Sequence, residues 1–283
     1  MSLRLEHPLL ILHTHHHRVP YPTMSIKIQD AAASPKPEAP SAAAEEFYTE
    51  SLRELASLGV PYLVSGTYAL SVYTGISRPT KDLDFVCKAG DFPRILSHFQ
   101  HRGYQIEIED ERWLGKVRKG ELFFDIIFAS FNGVMPVSDA WFEHARQTEI
   151  LGITTQIIAP TELICSKAFI QLRHRFDGAD IMHLILKQHD QIDWGRLLTS
   201  MGPNWEVLLA HLINFRWIYP AERANVPRWV IDELLERLRL QLDLPPSRMK
   251  VCRGRMFSRP DYEVDVKEWG FADVAGEGDW RDE

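Results

Sequence analysis

From Glu45 the chain becomes periodic, with Phe47, Leu52, Leu55 and Leu58 on one face of a helix that Gly59 ends. Pro61 starts a short buried strand, Tyr62-Leu63-Val64-Ser65, and Gly66-Thr67 then opens a helix through Tyr68 to Tyr73. Alternation in Lys81-Asp82-Leu83-Asp84-Phe85-Val86-Cys87 puts Leu83, Phe85 and Cys87 on one side of a strand and both carboxylates on the other. A helix over 92–99, closed at Gly103, precedes strands over 104–109, 114–118 and 122–128, with Gly120 in the last turn. A short amphipathic helix over 138–145 leads to a strand pair, 149–151 and 154–158, joined at Gly152.

Pro160 marks a change. Beyond it the spacing predicts helices over 161–175, 179–187, 194–200, 205–219 and 228–240. The fold class is α/β, of the α+β kind: a small mixed β-sheet core flanked by helices and followed by an α-helical domain. Residues 1–44 form a disordered N-terminal tail, 45–158 the core, 159–243 the helical domain packed on the sheet, and 244–283 a C-terminal extension.

The carboxylates carry the chemistry. In Glu121-Leu122-Phe123-Phe124-Asp125-Ile126-Ile127-Phe128, Asp125 has apolar neighbours on both sides, and an unpaired carboxylate buried there is costly. Something positive must meet it; taken alone, Asp125 could be satisfied by an arginine of the helical half. Asp82, Asp84 and Asp125, converging from two strands, make an all-oxygen site suited to Mg²⁺ or Mn²⁺ beside substrate phosphates. Gly66 at a strand-to-helix turn permits close approach to the backbone, and the free N–H groups at Gly66 and Thr67 favour an anion. Arg78 and Lys81, flanking Thr80 just before the acidic pair, could neutralise a triphosphate.

In this order, Gly66-Thr67, then Arg78-x-Thr80-Lys81-Asp82-Leu83-Asp84, then a lone Asp125 on a later strand resemble the DNA polymerase beta-type nucleotidyltransferase superfamily. Its minimal, aminoglycoside- and lincosamide-modifying and abortive-infection toxin branches look nearest, and the resemblance covers 62–128. Thr67 stands where Ser or Gly is usual, which is more similar to the toxin branch and leaves the acceptor open. The resemblance implies a nucleotidyltransferase core in which Asp82 and Asp84 hold metal against a nucleoside triphosphate, ATP being the expected one. Asp125 would complete a second metal position and act as base on an acceptor hydroxyl of a small molecule, protein or tRNA. Similarity to the toxin branch also implies that Lys167, with Asp180 downstream, faces the site. The plainer alternative is that Lys167 is solvated and that Arg173 and Asp177, four apart, form a surface ion pair.

Two other classes stay open. One is a glycosyltransferase using Asp82-x-Asp84 for a nucleotide sugar; the other is a non-catalytic nucleotide-binding or toxin–antitoxin module.

Charge and cysteine content narrow the setting. A formal net charge of −7 over 283 residues argues against a general nucleic-acid grip, leaving nucleic acid only as a tRNA-like acceptor. The 3 cysteines, Cys87, Cys165 and Cys252, are odd in number and widely spaced, which fits a reducing, cytoplasmic compartment. No run approaches the roughly 20 apolar residues of a membrane span. Leu9-Leu10-Ile11-Leu12 is too short for a signal-peptide core, and His13, His15, His16 and His17 read as a solvated tail, with Met24 an alternative start. Arg248, Lys250, Arg253, Arg255 and Arg259 read as a mobile basic arm.

Overall fold

The computed structural model describes residues 41–274, so the expectations for residues 1–40 lie outside the described residues. The first helix, α1 (Ala42–Leu58), is capped by Ser41, whose Oγ accepts the Ala44 N–H at 3.2 Å, and ends at Gly59 with φ 66°. Its apolar face buries Phe47, Tyr48, Leu52 and Leu55. After β1 (Leu63–Val64), α2 (Gly66–Thr74) and β2 (Asp84–Val86) come α3 (Phe92–His101), β3 (Gln105–Asp110), β4 (Leu114–Lys119) and β5 (Leu122–Ile127). A short α4 (Asp139–Glu143) leads to the hairpin of β6 (Arg146–Ile150) and β7 (Ile153–Ile157).

These strands form one 7-stranded mixed sheet in the order β3-β4-β5-β2-β1-β7-β6. β2 pairs in parallel with β5 and antiparallel with β1, while β4 and β5 form an antiparallel hairpin. The two faces differ because the side chains alternate. On one face Phe124 lies at 5.3 Å from Phe85, 4.9 Å from Phe99 and 5.8 Å from Phe47, measured between ring centroids, so α1 and α3 are packed down through aromatic contacts. Asp84 and Asp125 occupy the other face.

The helical half comprises α5 (Pro160–Lys167), α6 (Gly178–Gln188), α7 (Trp194–Met201), α8 (Trp205–Ile218) and α9 (Arg228–Leu242). It shares one apolar core with the sheet half, running from Phe47 through Leu163, Ile181 and Leu212 to Leu234. α6 packs on α2, and the Gln188 amide closes the seam by donating to the Tyr73 carbonyl at 2.7 Å.

One predicted helix is cut short. Periodicity carries 161–175 as a single helix, yet α5 stops at Lys167 and the chain folds back in a tight hairpin, Gln171 bridging Phe176. Leu172 and Arg175 exchange backbone hydrogen bonds at 2.8 and 3.3 Å, and the Asp177 N–H returns to the Ile170 carbonyl at 3.1 Å. The physical reason is charge. Lys167 is buried and needs carboxylates, and this return brings Asp177 to it.

The basic C-terminal segment is also more ordered than a solvated arm. β8 (Val251–Cys252) pairs in parallel with β9 (Ala272–Asp273), with α10 (Glu263–Lys267) between them. Arg255 and Arg259 are buried, and Arg255 meets Asp273 at 2.7 Å. Arg173 pairs with Asp261 at 2.5 Å and Asn132 with the Met256 carbonyl at 3.1 Å, which ties the segment to both halves.

Phe124 is fully buried where three other rings meet, so Phe124→Ala is expected to cost about 3–5 kcal/mol through lost burial and an unfilled cavity. Urea unfolding checks this; a loss under about 1 kcal/mol would mean the aromatic cluster does not anchor the sheet.

Candidate active site

Register places the decisive side chains. Asp84 on β2 is the direct neighbour of Asp125 on β5, and Asp125 is in turn directly opposite Lys116 on β4. Three adjacent strands therefore contribute one row on one face, lysine, aspartate, aspartate. Asp82 precedes β2 by one alternation, and oxygen atoms of Asp82, Asp84 and Asp125 all lie within 4.8 Å of one another.

Local structure fixes each member. Thr80 Oγ1 donates to Asp82 Oδ1 at 2.9 Å, and the Tyr48 hydroxyl from α1 donates to the Lys81 carbonyl at 2.9 Å, so the approach to the pair is held from both sides. The Ser65 N–H donates to the Asp84 carbonyl at 2.9 Å, bringing the start of α2 against β2. Gly66 has φ +57°, and a Cβ built there would sit 1.6 Å from Asp84 Oδ2. Glycine is required twice, for its backbone angle and for the carboxylate resting against it. Ser65 makes no side-chain cap, so the first amides of α2 have no side-chain partner from it.

A cavity of about 380 Å³ opens over this row, lined by Ser65, Gly66, Thr67, Arg78, the three aspartates, Lys167, Arg175 and Asp177, with Trp113, Ile127 and Phe131 toward one end. Lys81 is exposed and lies outside the lining; what it brings to the site is its carbonyl. The positive partner expected for Asp125 is Lys116, at 3.2 Å, rather than an arginine of the helical half. Lys116 is also held by Glu109 at 2.6 Å.

Facing the carboxylates is a second ionic group. Lys167 Nζ meets Asp177 at 2.7 Å and Asp180 at 2.8 Å, and Arg78 grips Asp180 with two hydrogen bonds of 2.8 and 2.7 Å. Arg175 donates to Asp177 at 3.0 and 3.2 Å. Lys167 and Asp180 therefore do meet. The surface pair of Arg173 with Asp177 does not form, because Asp177 is buried against Lys167 and Arg175 while Arg173 turns to Asp261. Spacing did not point to Arg175 or Lys116. Arg175 comes back only through the hairpin, and Lys116 only through strand register.

The electrostatics separate the two groups. Burial, then the nearby charges of Asp82 and Asp125, push Asp84 up to about 7, against the pull of Lys167 and Arg175. Burial likewise pushes Asp125 up to about 6, against Lys116. Burial opposes ionisation of Asp177 and Asp180 as well, but Lys167 and Arg175 hold the first, and Arg78 and Lys167 the second, below their ordinary value. One group is short of positive charge; the other is satisfied.

Residues 47–211 match the model of a family described as an uncharacterised nucleotidyltransferase. The chain belongs to that family. As a nucleotidyltransferase it agrees with the resemblance carried by Gly66, Asp82, Asp84 and Asp125, and the glycosyltransferase alternative falls away. No curated protein matches the sequence. Among solved structures, the nucleotidyltransferase is similar to the antibiotic-resistance factor ANT(2'')-Ia in solution, with 14% identity over 70% of this chain and 98% of that one, and a TM-score of 0.40. It is also similar to lincomycin-bound LnuA, a lincosamide antibiotic adenylyltransferase, with 18% identity over 50% and 94% and a TM-score of 0.35. An antigenic nucleotidyltransferase-like protein from Paracoccidioides brasiliensis gives 15% over 65% and 92%, with a TM-score of 0.41.

Asp84 supplies a stability test. Its folded-state pKa of about 7 lies above the usual carboxylate value, so its contribution is most favourable at low pH and is lost as pH rises through about 7. His211, with a lowered pKa, works in the opposite sense, and comparison with a variant cancels it. In chelator, the midpoint of Asp84→Asn is expected to match wild type near pH 4 and to exceed it by about 2–4 °C near pH 8, equivalent to roughly 1 kcal/mol. A constant or negative difference across that range would show that Asp84 is not held under repulsion.

Proposed function

We propose that this nucleotidyltransferase is divalent-metal-dependent and transfers a nucleoside monophosphate from a nucleoside triphosphate, with ATP expected, to an acceptor hydroxyl. The acceptor would belong to a small molecule, a protein or a tRNA. The observation that carries the proposal is the meeting of three carboxylates within 4.8 Å beside a glycine that cannot be replaced without displacing one of them. The donor set is all oxygen, and its need for positive charge is left unmet by Lys116 alone, which suits Mg²⁺ or Mn²⁺. Asp82 and Asp84 would hold the metal, with Asp125 completing a second position. The ion supplies charge neutralisation between carboxylates and phosphates and polarises the phosphorus under attack.

The chain's own groups do the rest. The opening amides of α2 at Gly66 and Thr67 point an anion site at the β and γ phosphates. Arg78 and Arg175 line the cavity with partly exposed side chains, at 43% and 58%, and can offset charge that develops on the leaving pyrophosphate. Lys167 is 6% exposed and engaged with two carboxylates, so it fixes the positions of Asp177, Asp180 and, through them, the two arginines. Asp125 accepts the proton of the acceptor hydroxyl, and its raised pKa makes it a better base than an ordinary aspartate. Lys81 serves through its carbonyl, which accepts the Tyr48 hydroxyl and holds the approach to Asp82, a smaller part than direct phosphate contact.

Among the described residues no helix is long and apolar enough to cross a membrane. Cys87, Cys165 and Cys252 are buried free thiols, which supports the proposal of a reducing, cytoplasmic setting.

Nucleotide binding is expected to require the metal, because a triphosphate would otherwise meet like charge. Calorimetry with ATP in Mg²⁺ and in chelator measures this, and equal affinity in both would remove Asp82 and Asp84 as metal ligands. Incubation with each α-labelled nucleoside triphosphate, Mg²⁺ and cell extract then seeks labelled product. With that assay, Asp125→Asn is expected to keep Mg-nucleotide affinity within about tenfold while transfer falls on the order of 10²-fold or more. Undiminished transfer would exclude Asp125 as the base.

A further inference from the structure

The buried aspartates meet positive charge in two different ways. Asp177 is held by Lys167 at 2.7 Å and Arg175 at 3.0 Å, and Asp180 by Lys167 at 2.8 Å and Arg78 at 2.7 Å. Among the described residues Lys116 alone pairs with Asp125, and loosely, its Nζ lying 3.2 Å from Oδ1 and 3.4 Å from Oδ2. The same ammonium is 2.6 Å from Glu109 Oε2. Lys116 is a shared cation, and it leans away from the carboxylate row.

Sheet geometry supplies the second carboxylate. Lys116 on β4 stands directly opposite Asp125 on β5 and Glu107 on β3, so all three share one face. The register of β3 against β4 shifts between Ile108 and Asp110, and Glu109 is the extra residue at that bulge. Glu107 is taken by Arg118 at 2.7 Å, which leaves Glu109 to Lys116. The Phe123 ring, 5.2 Å from Nζ, supports the ammonium between its two partners. Those partners differ in exposure, the Asp125 side chain at 10% and that of Glu109 at 45%.

A divalent ion on Asp125 needs one of the two oxygens that Lys116 touches, and ion and ammonium are then like charges on one carboxylate. We infer that Lys116 is a tethered competitor for the divalent ion at Asp125, and that Glu109 is the berth to which it withdraws when the ion binds. This rests on the reading of Asp82, Asp84 and Asp125 as metal ligands. Without the ion, Lys116 offsets the charge of Asp125 beside Asp84; with it, Glu109 keeps the displaced ammonium paired, so no charge is stranded in either state. Asp82 and Asp84 make no ion pair with Lys116. A first ion there displaces nothing, whereas a second ion at Asp125 enters against a lysine.

Titration of the full chain with Mn²⁺ alone, following free Mn²⁺ by electron paramagnetic resonance, tests this. Wild type is expected to take one ion and then a second more weakly by about tenfold or more. Lys116→Met should tighten the second step by about tenfold or more, because the ion no longer displaces a charged hydrogen bond. Glu109→Gln should weaken it by about threefold or more, because Lys116 then rests on Asp125 alone. Glu107→Gln removes the same charge opposite Lys116 but leaves the berth, and should change the step by less than about twofold. In the Lys116→Met background, Glu109→Gln should also have less than about a twofold effect, since Glu109 acts through Lys116. A second ion no tighter in Lys116→Met, equal effects of Glu109→Gln and Glu107→Gln, or a full effect of Glu109→Gln without Lys116 would each overturn the competition while sparing the ion at Asp82 and Asp84. Should Lys116→Met fail to fold, the comparison of Glu109→Gln with Glu107→Gln decides alone. No Mn²⁺ bound by any form would instead overturn the metal reading, and the competition with it.

Discussion

Two carboxylates on neighbouring parallel strands, Asp84 and Asp125, repel each other on a half-enclosed face of the sheet, and much of the molecule is arranged around that repulsion. The opposite face counters it. Phe85 and Phe124, whose backbones alternate with the aspartates, are locked among Phe47 and Phe99, so the strands cannot separate to relieve the charge without breaking an aromatic cluster. Lys116 offsets part of the charge from the third strand, though Glu109 shares it. What remains is a face that holds protons more tightly than ordinary carboxylates do and that favours a multivalent cation.

The second ionic group makes the helical half a working wall of the cavity. Arg78 belongs to the loop before β2, Lys167 to the end of α5, Arg175 to the hairpin and Asp180 to the first turn of α6, yet all are joined through Asp177 and Asp180. Five charged groups from four chain segments fix one another, and truncating one would strand its neighbours with charge in a poorly solvated place. Positioning of cations opposite the carboxylate row is thus a property of the interface between sheet and helices.

Much of this was readable before any coordinates. Alternation in 81–87 placed the two carboxylates on one face, the apolar setting of Asp125 demanded a positive partner, and Gly66 marked the backbone approach. Helix spacing placed α1, α3 and α6 to α9 to within a few residues. The failures share a cause. Lys116 reaches Asp125 by cross-strand register, which depends on a hairpin turn and not on local spacing. Arg175 was hidden because 168–175 carries a helical apolar rhythm, and the demand of buried Lys167 for carboxylates overrides it. Burial of Arg255 and Arg259 was likewise invisible in a run of basic residues, since their surroundings come from distant segments.

The contact of Gly66 with Asp84 has a further consequence. Position 66 and the carboxylate of residue 84 occupy one shared volume, since a Cβ at 66 would come within 1.6 Å of Asp84 Oδ2. The two positions are consequently coupled: a side chain at 66 requires the acid at 84 to shorten, move or disappear. The turn and the carboxylate share one volume, even though they are separated by 18 positions in the chain.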